Sequence, residues 1–191
     1  MSDFEESNKK NALFRSERFF QLIGMFCVHF EQICYEMEEC AAHILKINGL
    51  ANDKFGKIVL SNLTADPLQR MLRALLTEHL RDKGYDQVLH VTFRGFEDLT
   101  KIRNSLIHGK WTTPIDDENW RSRPAYVFSR KLKTSKNGED SEYLKYTEKD
   151  FLRHIENCKI IEKKISYLYF LCAFPEKIGN YFNSSTGKLV I

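Results

Sequence analysis

The chain has 191 residues, 42% of them hydrophobic and 29% charged, with a formal net charge of +3. That length suits one domain, or one domain with an elaboration, and is long enough to bury a proper core. The composition is that of an ordinary soluble globular protein, and a charge so near neutral neither demands nor excludes a nucleic-acid partner.

The segment before about residue 12 is polar and is expected to fray. A long helix is predicted from Leu13 to Asn48, because Phe20, Ile23, Cys27, Phe30, Cys34, Met37, Ala41 and Ile44 recur at alternating steps of three and four. At 1.5 Å per residue it would be about 50 Å long. Gly49 suits the position just past its end. A short helix is expected over Lys54–Leu63. Asp66-Pro67 reads as an N-cap followed by Pro at the first helical position, which opens a helix Pro67–Leu80. Leu68, Met71, Leu72, Leu75 and Leu76 share its apolar face, and Lys83-Gly84 breaks it. A third long helix is predicted from Asp86 to His108, with Leu89, Phe93, Phe96, Leu99, Ile102 and Leu106 inward and Gly109 after it.

From Trp111 to about Thr147 the pattern changes. Tyr126-Val-Phe128 and Tyr143-Leu-Lys-Tyr146 are β-prone runs on either side of Asn137-Gly138, which predicts a β-hairpin over about 124–147, with a turn longer than the two-residue ideal. Thr147 is a candidate N-cap with Asp150 three residues on. The last helix, Glu148–Cys172, would turn Phe151, Ile155, Cys158, Ile161, Ile165 and Leu168 inward. Pro175 follows, and the tail 175–191 has no strong pattern.

The expected fold is therefore all-α: an antiparallel four- to five-helix bundle in a single domain, with its core over about 12–172. The β-hairpin insertion, over about 111–147, comes before the last long helix. Short links favour antiparallel neighbours. No run approaches the roughly 20 apolar residues a membrane span needs, and the polar, acidic start lacks the regions of a signal peptide. The expected location is cytoplasmic, with no membrane partner. The cysteines (Cys27, Cys34, Cys40, Cys158 and Cys172) are odd in number and form no C-x-x-C pair, so burial is expected rather than metal or redox work.

Chemistry concentrates in Lys101-Ile-Arg-Asn-Ser-Leu-Ile-His-Gly-Lys-Trp111. Arg103 is a permanent cation suited to phosphate, and His108 can exchange a proton near neutral pH. Asn104 and His108, four apart, share a helix face. Arg103 and His108, five apart, lie about 140° around an ideal helix. They converge only if the last turn is distorted at Gly109 or if a second copy completes the site. A two-fold dimer would set two Arg/His pairs across one groove. There they could bind a phosphodiester and supply proton donor, acceptor and charge stabilisation.

Arg103-Asn104-x-x-x-His108 resembles the R-x(4–6)-H motif of the HEPN superfamily, which includes prokaryotic toxins, abortive-infection proteins and RNA-processing enzymes. That resemblance implies an all-α bundle and metal-independent RNA cleavage across a homodimer interface, with no cofactor and no metal. The ribose 2′-hydroxyl would be the nucleophile. His108 would be the general acid/base, Arg103 would hold the scissile phosphate and Asn104 would orient its neighbours. RNA, a second copy and an antitoxin or other protein are the implied partners. One branch has a Tyr two positions after the His; Lys110 stands there in this chain, so silencing by nucleotidylation of that Tyr is not supported. A non-catalytic module of the same fold, which dimerises and binds nucleotide, RNA or protein, is the alternative. A purely structural reading also remains, with Arg103 paired to a carboxylate and His108 favoured by the helix dipole.

Lys110, Arg121, Arg123, Arg130, Lys131, Lys133 and Lys136 interleave with Trp111, Trp120, Tyr126 and Phe128. Such a region could face RNA, but Lys and Arg also routinely guard a sheet edge, and the guarded edge is the simpler reading. His29, His43, His79, His90 and His154 are scattered and read as surface or interhelix residues.

Overall fold

The computed structural model describes residues 3–50, 52–81, 83–112, 126–135 and 138–190, with side chains described for 17–50, 52, 54–81, 83–111 and 144–190. The chain is a helical bundle. In order it runs α1 (Asp3–Ile47), α2 (Asp53–Leu60), α3 (Ala65–His79), α4 (Asp86–His108), β1 (Lys110–Thr112), β2 (Tyr126–Ser135), β3 (Gly138–Thr147) and α5 (Glu148–Ala173). A 3-10 turn (Pro175–Asn180) and the two-residue strands β4 (Phe182–Asn183) and β5 (Lys188–Leu189) follow. Among the described residues no helix is long and apolar enough to cross a membrane.

The chain forms two compact units: Met1–Val28 with Lys101–Glu156, and His29–Thr100 with Asn157–Ile191. α1, α4 and α5 each contribute residues to both.

α1 differs from its sequence reading at both its start and its seam. It begins at Asp3, about ten residues before the expected Leu13, because no Gly or Pro precedes Gly24 to break it. Its buried side chains are Phe19, Leu22, Phe26, Phe30, Ile33, Cys34, Met37, Cys40, Ala41 and Ile44, while Phe20 is 64% exposed. The expected stripe counted every 3.5 residues. An α-helix turns every 3.6, so a strict heptad drifts about 20° per repeat. The two stripes coincide at Phe30, Cys34, Met37, Ala41 and Ile44 and part towards the N-terminus. The C-terminus is a Schellman cap: Gly49 takes φ +103°, its N–H donates to the Lys46 carbonyl, and the Leu50 N–H donates to that of Leu45.

The second unit is built on the later part of α1, α2, α3, most of α4 and the later part of α5. Phe30 stacks on Phe96 at 5.3 Å, and Leu72, Leu76, Phe93, Ile165 and Leu168 are fully buried. Each such side chain contributes about 1.5–3 kcal/mol by leaving water. The N-cap of α3 is Thr64, not Asp66, so Pro67 occupies the third helical position. A first-turn N–H has no helical partner, so Pro is tolerated there as well. Asp66 instead pairs with Arg70 at 2.8 Å.

The tail is ordered, contrary to its featureless sequence. Lys164, 5% exposed, donates from Nζ to the Gly187 carbonyl at 3.0 Å. The Tyr85 hydroxyl donates to the Pro175 carbonyl at 2.8 Å, and Phe182 is 1% exposed. These bonds give local two-residue strands an anchor that no periodicity announces.

In the first unit the expected hairpin is present, with β2 and β3 antiparallel from Tyr126↔Thr147 to Ser135↔Gly138. The strands run further than the sequence reading placed them. Only residues 136–137 separate them, and these lie outside the described residues, as do the acidic patch Asp116-Asp117-Glu118 and Trp120, Arg121 and Arg123. β1 adds a third strand that the sequence did not signal, paired antiparallel to β2. Thr147 closes β3 and caps α5. Its hydroxyl donates to Asp150 Oδ2 at 2.6 Å, its N–H donates to the same oxygen at 3.0 Å, and the Asp150 N–H donates back to Thr147 Oγ1 at 3.3 Å. That reciprocal pair is the expected capping box, with Asp in the usual place of Glu.

Gly187 is strained for any other residue. It has φ +64°, and an added Cβ would lie 2.6 Å from the Gln87 carbonyl oxygen. Gly187→Ala is therefore expected to destabilise the protein by at least about 1–3 kcal/mol in urea unfolding. Gly24→Ala, on a helix with nothing within 4 Å of the new Cβ, should gain about 0.5–1 kcal/mol. Equal midpoints for the two variants would refute this account of the tail.

Candidate functional site

The C-terminal turns of α4 carry the three predicted site residues. Ser105 and Leu106 are buried at 4% and 2% exposure, and they turn the helix so that Arg103 and Asn104 are half-buried and His108 is exposed. The Arg103 guanidinium donates from Nη1 to Asn104 Oδ1 at 3.5 Å. This is a long bond between neighbouring residues. Asn104 and His108 lie one turn apart on the same face.

The last turn is not distorted. The Gly109 N–H still donates to the Ser105 carbonyl at 3.1 Å, the regular helical pattern. Arg103 and His108 therefore remain about 140° apart around the helix axis. Of the two conditions under which they could act on one phosphate, only completion by another copy remains.

The chain leaves α4 under tight control. Trp111, in β1, donates its indole Nε1–H to the Leu106 carbonyl at 2.7 Å, which satisfies one of the acceptors that a helix end leaves open. Its ring lies 6.1 Å from that of Tyr146, which is 7% exposed. Tyr146 in turn lies 5.5 Å from Phe151 and 6.3 Å from His154. Phe19 meets Phe151 edge-on at 6.0 Å, and Phe26 meets His154 at 6.3 Å. Aromatic pairs at these separations add about 0.5–1.5 kcal/mol each beyond their burial. Arg18 on α1 pairs with Glu148 at 2.8 Å.

Sequence reasoning missed this aromatic support and the part His154 plays in it. His154 falls three residues after Phe151 and four before Cys158, beside the buried stripe of α5, and that spacing was the available signal. Its Nδ1 is buried with no hydrogen-bond partner among the described residues. Burial, followed by the Arg153 charge, pushes its pKa below the usual imidazole value, against the opposing pull of Asp150. Of the cysteines, Cys34, Cys40, Cys158 and Cys172 are buried, as small hydrophobes should be. Among the described residues no group of three or more His, Cys, Asp or Glu side chains is placed to hold a metal ion.

Comparison with protein-family models, with curated proteins and with solved structures gives no match to this chain.

The depressed pKa of His154 sets a pH dependence. Its folded-state value lies below the ordinary imidazole value of about 6.5, so on acidification the unfolded chain takes up the proton first. Stability is full above that value and falls as pH drops through it. His43, also lowered by burial, acts in the same direction, while Asp150, held below the usual carboxylate range by Thr147, stays ionised. Urea unfolding at pH 7.5 and 5.5 should show wild type losing stability and His154→Phe losing less. Identical losses in the two would refute the assignment.

Proposed function

We propose that this chain is a metal-independent endoribonuclease of the HEPN type that acts as a homodimer. The observation that carries the reading is the end of α4, where Asn104 accepts a hydrogen bond from Arg103 and His108 stands exposed on the following turn. These are the residue types and the position in a helical bundle that the resemblance requires. In the dimer, Arg103 holds a non-bridging oxygen of the scissile phosphate, where a guanidinium forms charge-assisted hydrogen bonds. One His108 takes the proton of the ribose 2′-hydroxyl, whose oxygen attacks the adjacent phosphorus. The other protonates the departing 5′-oxygen. The products are a 2′,3′-cyclic phosphate and a 5′-hydroxyl. The setting is cytoplasmic, as a toxin or phage-defence component, with an antitoxin or another protein as regulator.

One observation favours a second reading, a non-catalytic module of the same fold that dimerises and binds nucleotide, RNA or a partner protein. The regular last turn of α4 keeps Arg103 and His108 from converging within one chain, so an unassembled copy has no complete site.

The test is incubation of the purified protein with a mixed RNA pool in EDTA, beside Arg103→Ala and His108→Ala proteins of native helicity. Wild type should cut and leave cyclic-phosphate and 5′-hydroxyl ends, and each variant should lose about 10²–10⁴-fold in rate. Undiminished cleavage by the variants, or no cleavage by any of the three, would sink the nuclease.

A further inference from the structure

The short helix α2 wears its apolar side outward. Its inner side holds Gly56 and Leu60, both buried, and an added Cβ at Gly56 would stand 3.6 Å from Leu50 Cδ2. The opposite side holds Phe55, Ile58 and Val59, three and four residues apart and therefore neighbours on the helix surface. They are 59%, 65% and 53% exposed. A surface helix ordinarily shows polar side chains there. Helix propensity gives no reason for the exception, because Phe, Ile and Val are all weaker helix formers than Lys or Glu.

Cations stand beside this face. Lys54 lies one turn before Ile58, Lys57 directly precedes it, and both are exposed. Lys57 is 4.0 Å from Glu39, longer than a hydrogen bond, and its side chain is 70% exposed. With Glu39, His43, Lys46, Gly56 and Tyr169 it lines a cavity of about 220 Å³. His43 stacks on Tyr169 at 4.5 Å, and its Nε2 is buried with no hydrogen-bond partner among the described residues. The cavity is smaller than the roughly 300–1,000 Å³ of ordinary small-molecule sites. It has room for a phosphate-sized group, with apolar helix surface beside it.

Charge and area separate the occupants that such a face can take. A second copy in two-fold contact meets itself, so Lys54 and Lys57 of one copy would face those of the other. A folded protein partner needs about 800 Å² on each side for a stable complex. Phe55, Ile58 and Val59 at these exposures offer roughly 300 Å². A bilayer sets no such minimum. Apolar side chains enter it one by one, and lysines meet the lipid phosphates.

We propose that α2 docks this protein on a membrane surface that contains anionic phospholipid. Phe55, Ile58 and Val59 enter the boundary between headgroups and acyl chains. Lys54 and Lys57 lay their alkyl stems along that boundary and keep their charges at the level of the phosphates. One headgroup phosphate sits at the mouth of the cavity beside Lys57. The helix is about 12 Å long and lies flat, and among the described residues no helix can cross a bilayer. Either signal alone gives marginal binding; apolar insertion and charge together hold the protein reversibly. The inference goes beyond the nuclease reading and does not rest on it.

The test is flotation of the full chain with vesicles of phosphatidylcholine, alone or mixed with phosphatidylserine, across a salt series. Wild type should bind the mixed vesicles, release them as salt rises, and bind neutral vesicles about tenfold or more weakly. F55S/I58S should lose at least about tenfold in affinity for the mixed vesicles. K54Q/K57Q should lose about fivefold for each lysine removed. R73Q/R94Q, which removes two exposed cations of α3 and α4, changes net charge equally and should stay near wild type. Every replaced side chain is exposed, and circular dichroism checks that each variant folds. Wild type that binds neither vesicle, or both equally, would overturn the proposal. So would equal losses in the two glutamine variants, or undiminished binding by F55S/I58S. A wild-type dimer in ultracentrifugation that F55S/I58S converts to a monomer would also overturn it, because the occupant of the face would then be a second copy.

Discussion

The site depends on the Tyr146 ring. Tyr146 is the next-to-last residue of β3, and it meets Trp111 from β1 and Phe151 and His154 from the first turns of α5. Trp111 fastens itself to the end of α4 through the Leu106 carbonyl. A single buried ring thus fixes the direction in which α4 stops, the place where the sheet begins and the line on which α5 starts. The next residue, Thr147, ends the strand and caps the helix with the same hydroxyl. Between them, Tyr146 and Thr147 turn an extended chain into a helix within two residues, so the sheet cannot shift register without breaking both the aromatic packing and the cap.

The parity of the pleat is set by Tyr146 and Trp111, since a one-residue slip would expose both. Once those two are buried, Lys110 and Lys145 have no choice of face.

Much of this was legible in the sequence. α4 runs from Asp86 to His108 as its periodicity indicates, α5 buries the whole expected stripe, and the Thr147–Asp150 cap follows from its spacing. Local signals were enough there because each is a relation between residues three or four apart. What escaped was decided at longer range. The N-terminal seam of α1 passes through Phe19 rather than Phe20 because the drift between 3.5 and 3.6 accumulates over several turns. β1 is three residues long and exists only through its pairing with β2. The tail strands depend on Lys164 and Phe182. For the candidate site, the placement of Arg103, Asn104 and His108 on one helix end could be read from spacing. The aromatic support beneath them joins residues as far apart as Phe19 and Phe151, which no local pattern contains.

Gly187 also bears on the time course of synthesis. It lies against the backbone of Gln87 and Val88, with room for no side chain, and Lys164 holds it there. Val88 is fully buried in the finished protein. At the usual rates of translation, the roughly hundred residues between Gln87 and Gly187 take about 5–20 s to make. Throughout that interval the start of α4 has been made but lacks its cover. The nascent chain thus carries an uncovered apolar helix start throughout that interval, and its exposure to aggregation on the ribosome ends with the arrival of a glycine.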